Sequence, residues 1–159
     1  MELTHIDEKN NPKMVDVTQK EVTHRLAEAS CMIEVDPLIM EKLHEGEIQT
    51  KKGPVFHTAI IAGTMAVKKT SDLIPFCHPL AIEGCDFDIK VKSPNHIHIT
   101  CKVKISGKTG VEMEALTGTT VAALTIYDMC KAITHKMIIK ETKLVEKTGG
   151  KRTVRKETQ

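Results

Sequence analysis

At 159 residues the chain suits one domain with a real hydrophobic core. Its 23 basic and 21 acidic residues leave a formal charge of +2, so no bulk cationic field draws nucleic acid. With 3% aromatics and no Trp, a stacking platform for single-stranded bases is also argued against. No apolar run is long enough to cross a bilayer, and the start, MELTHIDEKN, carries no hydrophobic signal segment. The expectation is a cytoplasmic protein with no membrane or nucleic-acid partner.

The five cysteines are odd in number and lack CxxC spacing, which argues against a disulfide framework and against structural zinc. Cys31, Cys85 and Cys101 fall on the apolar faces of expected strands, as small core residues.

In chain order, residues 1–20 read as a polar, turn-rich arm, with Met14–Val17 as a short extended piece. Alternation from Arg25 to Val35 predicts a half-buried strand. Arg25 stands on its core-facing parity, either paired, anion-binding or at a frayed end. Asp36-Pro37 starts a short helix that ends near Gly46, and a polar loop spans 47–52. Gly53-Pro54 opens a second helical run to about Ser71. Lys51, Lys52, Lys68 and Lys69 bracket it, as a solvated face or as a phosphate cradle. Lys52 is the better cradle candidate because it precedes a helix amino terminus that can itself receive an anion.

Two prolines hold Phe76-Cys77-His78 in a constrained non-helical link. His78 suits proton transfer near neutral pH or a structural hydrogen bond. A hairpin follows: Cys85–Val91, a turn at Ser93-Pro94-Asn95, then Ile97–Ile105. His96 and His98 share its polar face, a weak basis for a metal. Ser106-Gly107-Lys108-Thr109 imitates a phosphate-binding P-loop, but Lys102 stands where that motif needs glycine.

Residues 107–132 predict one long helix. Val111, Ala115, Thr119, Ala122, Ile126, Met129 and Ile133 make one stripe. Glu114, Thr117, Val121, Leu124, Asp128 and Lys131 make a second, so the helix is expected to be covered on two sides. Glu112 and Glu114 suit the helix dipole as well as a site. Asp128 lies where the dipole disfavours an anion, and Lys131 can pair with it, as a surface ion pair or as a tuned acid/base pair. A last strand spans about Met137 to Val145, and the tail from Lys147 reads as flexible. Strand, helices, strand, strand, helix, strand is the α+β, ferredoxin-like order. Val121 and Leu124 would need cover from another copy.

The segments MVDVT, KKTSDLIP running into CHPL, KTGVEMEALT with VAALTIYDMCKA, and the late KTGGK together resemble the cyclic pyranopterin monophosphate synthase family, molybdenum-cofactor biosynthesis protein C. The resemblance covers nearly the whole chain in order. It implies a ferredoxin-like α+β fold with helices on one face of an antiparallel sheet. It also implies a hexamer built as a trimer of dimers, with sites at subunit interfaces. The implied substrate is 3′,8-cyclo-7,8-dihydro-GTP, supplied by a radical-SAM partner enzyme. The implied product is cyclic pyranopterin monophosphate, with release of diphosphate.

By position, Asp128 matches the family's catalytic aspartate, Lys131 the lysine beside it, and Lys52 a cation of the same cavity. Phe76, Cys77 and His78 match a substrate-binding tripeptide, often Leu or Met at the first place. Met113 and Glu114 match a second substrate-binding pair, with Glu112 their acidic neighbour and Arg25 a further cation. Lys68, Lys69 and Lys147 are weaker matches. No resident metal is implied; a Mg2+ could accompany the triphosphate. Two stretches depart from the pattern: residues 116–120, elsewhere richer in alanine, and residues 151–153, elsewhere Lys-Ser-Gly. The competing classes are a nucleotide-binding module without catalysis and an RNA-binding sheet.

Overall fold

The computed structural model describes residues 9–155. Its elements are β1 (Thr23–Glu34), α1 (Pro37–Met40), β2 (Leu43–His44), β3 (Glu47–Thr50), β4 (Gly53–Pro54), α2 (Val55–Lys68), α3 (Thr70–Leu73), β5 (Gly84–Ser93), β6 (His96–Gly107), α4 (Glu112–Cys130) and β7 (Ile138–Thr148). The mixed helix and strand composition expected from the sequence is found. The main sheet has the order β5-β6-β1-β7, and every pair in it is antiparallel.

Period-two alternation sorts the strands into two faces. Ala27, Ala29, Cys31 and Ile33 of β1 and Ile97, Ile99, Cys101, Val103 and Ile105 of β6 are buried, together with Ala115, Ala122 and Ile126 of α4. The opposite face is polar and ion-paired: Lys102 with Glu28, Lys90 with Asp88, Lys104 with Asp86 and Lys140 with Glu34. The exposed pairs among them contribute little to stability, while Glu28 is buried beneath its lysine. It carries none of the aromatic side chains a base-stacking sheet needs.

Helix α2 packs on α4 through glycines. A Cβ at Gly63 would stand 2.5 Å from the Phe87 ring, and one at Gly118 would stand 2.7 Å from Val67 Cγ2. Gly118 stands at the centre of this contact. Here it lets α4 seat directly on α2 and the sheet.

Several sequence expectations need correction. Helix α1 is a single turn, capped by Asp36, which accepts from Leu38 N. The stretch expected to be helix and loop is instead the small antiparallel set β2-β3-β4, turned by Glu45 and Gly46, both at positive φ. Helix α2 stops at Lys68 rather than near Ser71, and Thr70–Leu73 forms a separate turn of helix. Met14–Val17 forms no strand, and the part of the expected arm before residue 9 lies outside the described residues. Strand β7 runs on to Thr148, and the expected flexible tail folds back: Lys147 N donates to Val154 O and Val154 N to Lys147 O. Residues 156–159 of that tail lie outside the described residues. No helix among the described residues is long and apolar enough to cross a membrane.

Candidate functional site

Helix α4 places the candidate residues, and it divides them between its two ends. Asp128, Lys131 and Lys52 meet at the carboxyl end. Lys131 Nζ lies 2.7 Å from Asp128 Oδ1, three residues along the helix. Lys52 Nζ, brought by the β3–β4 turn, lies 2.7 Å from Oδ2 and donates to the Asp128 carbonyl at 3.0 Å. The three side chains are about half exposed. Hydrogen bonds from Lys131 and Lys52 hold the Asp128 carboxyl down at about 2. The anion that the helix dipole disfavours here is thus stabilised by two cations.

The amino terminus of α2, which follows Lys52, is already occupied by a carboxylate. Glu47 Oε1 accepts from Ile48 N and Phe56 N, both at 2.8 Å, and Oε2 accepts from His57 N at 3.1 Å. Pro54 supplies no side-chain cap, so the Glu47 carboxylate takes that role. An anion arriving there would meet an anion.

The other end of α4 is a different environment. Glu114 is 3% exposed. Burial raises its carboxyl to about 7, and neighbouring Glu112 adds to the rise. Cys77 stands near enough that burial and then the Glu114 charge push its thiol up. His78 stands by Asp16, whose carboxyl accepts from Thr18 N at 2.8 Å. Lys108 donates to the Thr18 carbonyl at 2.7 Å. Phe76 and Met113 are exposed at this end.

Beside them opens a cavity of about 370 Å3. Lys20, Arg25, Lys108, Lys147 and Lys151 line it against Glu21 and Glu112. Arg25 Nε donates to Gly107 O at 2.9 Å, which turns the guanidinium toward Gly150. Lys147 Nζ pairs with Glu112 Oε1 at 2.5 Å. Lys68 and Lys69 are exposed at the end of α2.

The chain thus joins Asp128, Lys131 and Lys52 in one group, and Cys77, His78, Glu114, Glu112 and Arg25 around the other end. It does not join the two groups. Glu114 and Asp128 are fourteen residues apart on one helix, about 21 Å along its axis. Nor is α4 covered on both sides within one chain. Glu114 is buried, but Leu124 is 53% exposed, and on α2 Ile61 is 66% exposed.

Asp16, Lys108 and Lys151 join the cavity end without having been singled out as candidates. Lys108 belongs to the Ser-Gly-Lys-Thr run rejected as a P-loop. That rejection agrees with the antiparallel sheet, yet the run still carries a lysine to a cationic cavity. Among the described residues no three His, Cys, Asp or Glu side chains converge as metal ligands.

Residues 14–150 match the model of the MoaC family. The chain is 51% identical over 152 residues to a cyclic pyranopterin monophosphate synthase of Xanthomonas campestris pv. campestris, spanning 96% of this chain and 92% of that protein. It is 52% identical over 151 residues to a protein of the same name from Desulfitobacterium hafniense, covering 95% and 91%. It also matches a molybdenum cofactor biosynthesis bifunctional protein of Synechocystis, 57% identical over 155 residues, and spans 45% of that longer chain. With a family match over most of its length and synthases about half identical from end to end, the chain is an enzyme of the MoaC family.

Proposed function

We propose that this enzyme acts in molybdenum cofactor biosynthesis, converting 3′,8-cyclo-7,8-dihydro-GTP to cyclic pyranopterin monophosphate and diphosphate. The near-full-length relatives carry the name of that synthase. The strand order β5-β6-β1-β7 supports a ferredoxin-like core. We read the active site as composite: the Asp128 end of α4 from one chain faces the Glu114 end of α4 from another. Hexamer assembly as a trimer of dimers belongs to this reading, as does supply of the substrate by a radical-SAM enzyme.

The observation that carries the composite site is the division of the candidate residues between two ends of one helix. A small substrate cannot bridge about 21 Å. A second copy laid on the outer face of α2 and α4 would cover Ile61, Met65 and Leu124, and could bring the two ends together.

In the reaction, the highly anionic triphosphate meets Lys52, Lys131, Arg25 and Lys147, and charge on the departing diphosphate is stabilised by these cations. The base-derived part lies by Phe76, Cys77, His78, Met113 and Glu114. The ring is opened and rebuilt, and a ribose hydroxyl attacks the α-phosphorus to close the cyclic phosphate. Each step moves protons. A carboxylate held at about 2 is a weak base. In this mechanism substrate phosphate draws Lys52 and Lys131 toward itself, and Asp128 gains basicity as they leave. Lys131 then serves as the acid. A Mg2+ accompanying the triphosphate is assigned to the phosphates rather than to a protein cluster.

The test mixes two inactive proteins. Asp128→Asn and His78→Ala chains are each purified, then unfolded together and refolded. A composite site gives mixed dimers in which one of the two sites is intact, restoring about a quarter of normal diphosphate release on random pairing. No recovery from mixed oligomers verified by mass would place the whole site within one chain. Diphosphate release by the unaltered enzyme separates catalysis from mere nucleotide binding.

A further inference from the structure

Cys85 and Cys101 lie on adjacent antiparallel strands. The register pairs Cys85 with Val103 and Phe87 with Cys101, so the two cysteines are diagonal neighbours on the helix-facing side. Both are free thiols, close enough that each shifts the other's titration. They differ in access. Cys101 is fully buried under α4, where a Cβ at Gly118 would stand 3.0 Å from its sulfur. Cys85 is half-buried on β5, the edge strand, with Thr64 and Lys68 of α2 and the Asp86 carboxylate as neighbours.

Neighbouring Cys101 lowers the Cys85 thiol, with help from Thr64 and Lys68 and against burial and the Asp86 charge. Cys85 and burial push Cys101 up. A half-buried thiol lowered toward its thiolate, beside a fully buried thiol that is pushed up, is the arrangement of an attacking and a resolving cysteine.

We propose that Cys85 and Cys101 are a modification site that closes into a reversible disulfide on exposure to a peroxide. The Cys85 thiolate attacks one peroxide oxygen. The O–O bond breaks, the second oxygen leaves as hydroxide and takes up a proton to become water, and Cys85 becomes a sulfenic acid. The Cys101 sulfur then attacks the Cys85 sulfur. Its proton leaves with the sulfenic hydroxyl as a second water. Two electrons pass from the thiols to the peroxide. Diagonal neighbours need a backbone shift to bond. Strand β5 is held on one side only and can supply it. A bond closed in this way is readily reopened by a thiol reductant.

The test treats the reduced full chain with hydrogen peroxide, then uses intact mass measurement and non-reducing peptide mapping. The expected product is a single chain lighter by two hydrogens, with the Cys85 and Cys101 peptides joined, and dithiothreitol restores it. Cys85→Ser and Cys101→Ser abolish it. Cys101→Ser, or Cys101→Ala if serine disturbs the core, leaves a Cys85 sulfenic acid that dimedone traps. A bridge through Cys31, Cys77 or Cys130, a bridge between chains, direct passage of Cys85 to sulfinic acid, or unchanged mass would each overturn the proposal.

Discussion

The two ends of α4 hold carboxylates of opposite character. Asp128 is half exposed, gripped by two lysines and ionised down to about 2. Glu114 is buried with the like-charged Glu112 beside it, and its carboxyl is raised to about 7. One helix thus carries an anion that water and lysine keep charged and an acid that burial keeps protonated until neutrality. Residue type does not separate them; surroundings do. Carboxyl groups pushed apart in this way can take different roles in one reaction.

The largest effect should come from the charged end. Asp128→Asn removes the carboxylate and leaves the side-chain shape. Turnover should fall by ~10²–10⁴, the usual worth of positioned acid/base catalysis. Circular dichroism and oligomer mass should not change, because the side chain is half exposed and makes only surface pairs. Near-normal product formation by Asp128→Asn would remove it from the chemistry.

The buried end predicts a pH effect. Where the base-derived part of the substrate lies by Glu114, the protonated carboxyl can donate it a hydrogen bond, so activity should fall as pH rises through about 7. Glu114→Gln keeps a donor of the same shape. It should retain part of the activity and lose the fall near pH 7, whereas Asp128, already ionised, contributes no limb there. A limb that survives in Glu114→Gln belongs to another group.

Stability gives an independent check, and its sign follows from proton counting. The folded value is raised above the ordinary 4.5 to about 7. Between those values the unfolded chain loses the proton and the folded chain keeps it, so stability falls as pH rises through that window and levels off above it. The raised value corresponds to roughly 3 kcal/mol at the upper plateau, before allowance for relaxation. Urea unfolding from pH 4.5 to 8 should show this decline in the unaltered protein. It should be largely absent in Glu114→Gln.

How legible these regions were follows from what each one needed. Strands β1, β5 and β6 and helix α4 keep one hydrophobic period throughout, and that period is visible in the residues. Strand β7 was read short because its pairing with β1 shifts register twice, between Glu28 and Ala29 and between Ser30 and Met32, which breaks the alternation. The β2–β4 set was missed because each strand is too short to show a period. Only Glu45-Gly46 and Gly53 marked the turns. At the site, the Asp128–Lys131 pair was legible from three-residue helical spacing. Its pairing with Lys52 came from the family resemblance, since residues seventy-six apart in the chain share no local pattern. Glu47 as the cap of α2 had no signal, because the cap arrives from a neighbouring strand rather than from the preceding residue.

The smallest predicted effect sharpens the charged end without reference to turnover. If two lysines hold Asp128 at about 2, removing them singly should raise its titration in steps. Lys131 gives the largest contribution and Lys52 the next. Lys131→Met should therefore raise it more than Lys52→Met, and the double variant should return it toward 3.8. Carbon-13 NMR of the side-chain carboxyl across an acid titration reads this directly. Because the folded value is depressed, the carboxyl's contribution to stability is present above about 3.8 and is lost as pH falls through about 2. The lysine variants should narrow that window from its acid side. A double variant that still titrates near 2 would mean that a source other than these lysines holds the charge, and Lys52 would lose its place beside Asp128 in the proposed chemistry.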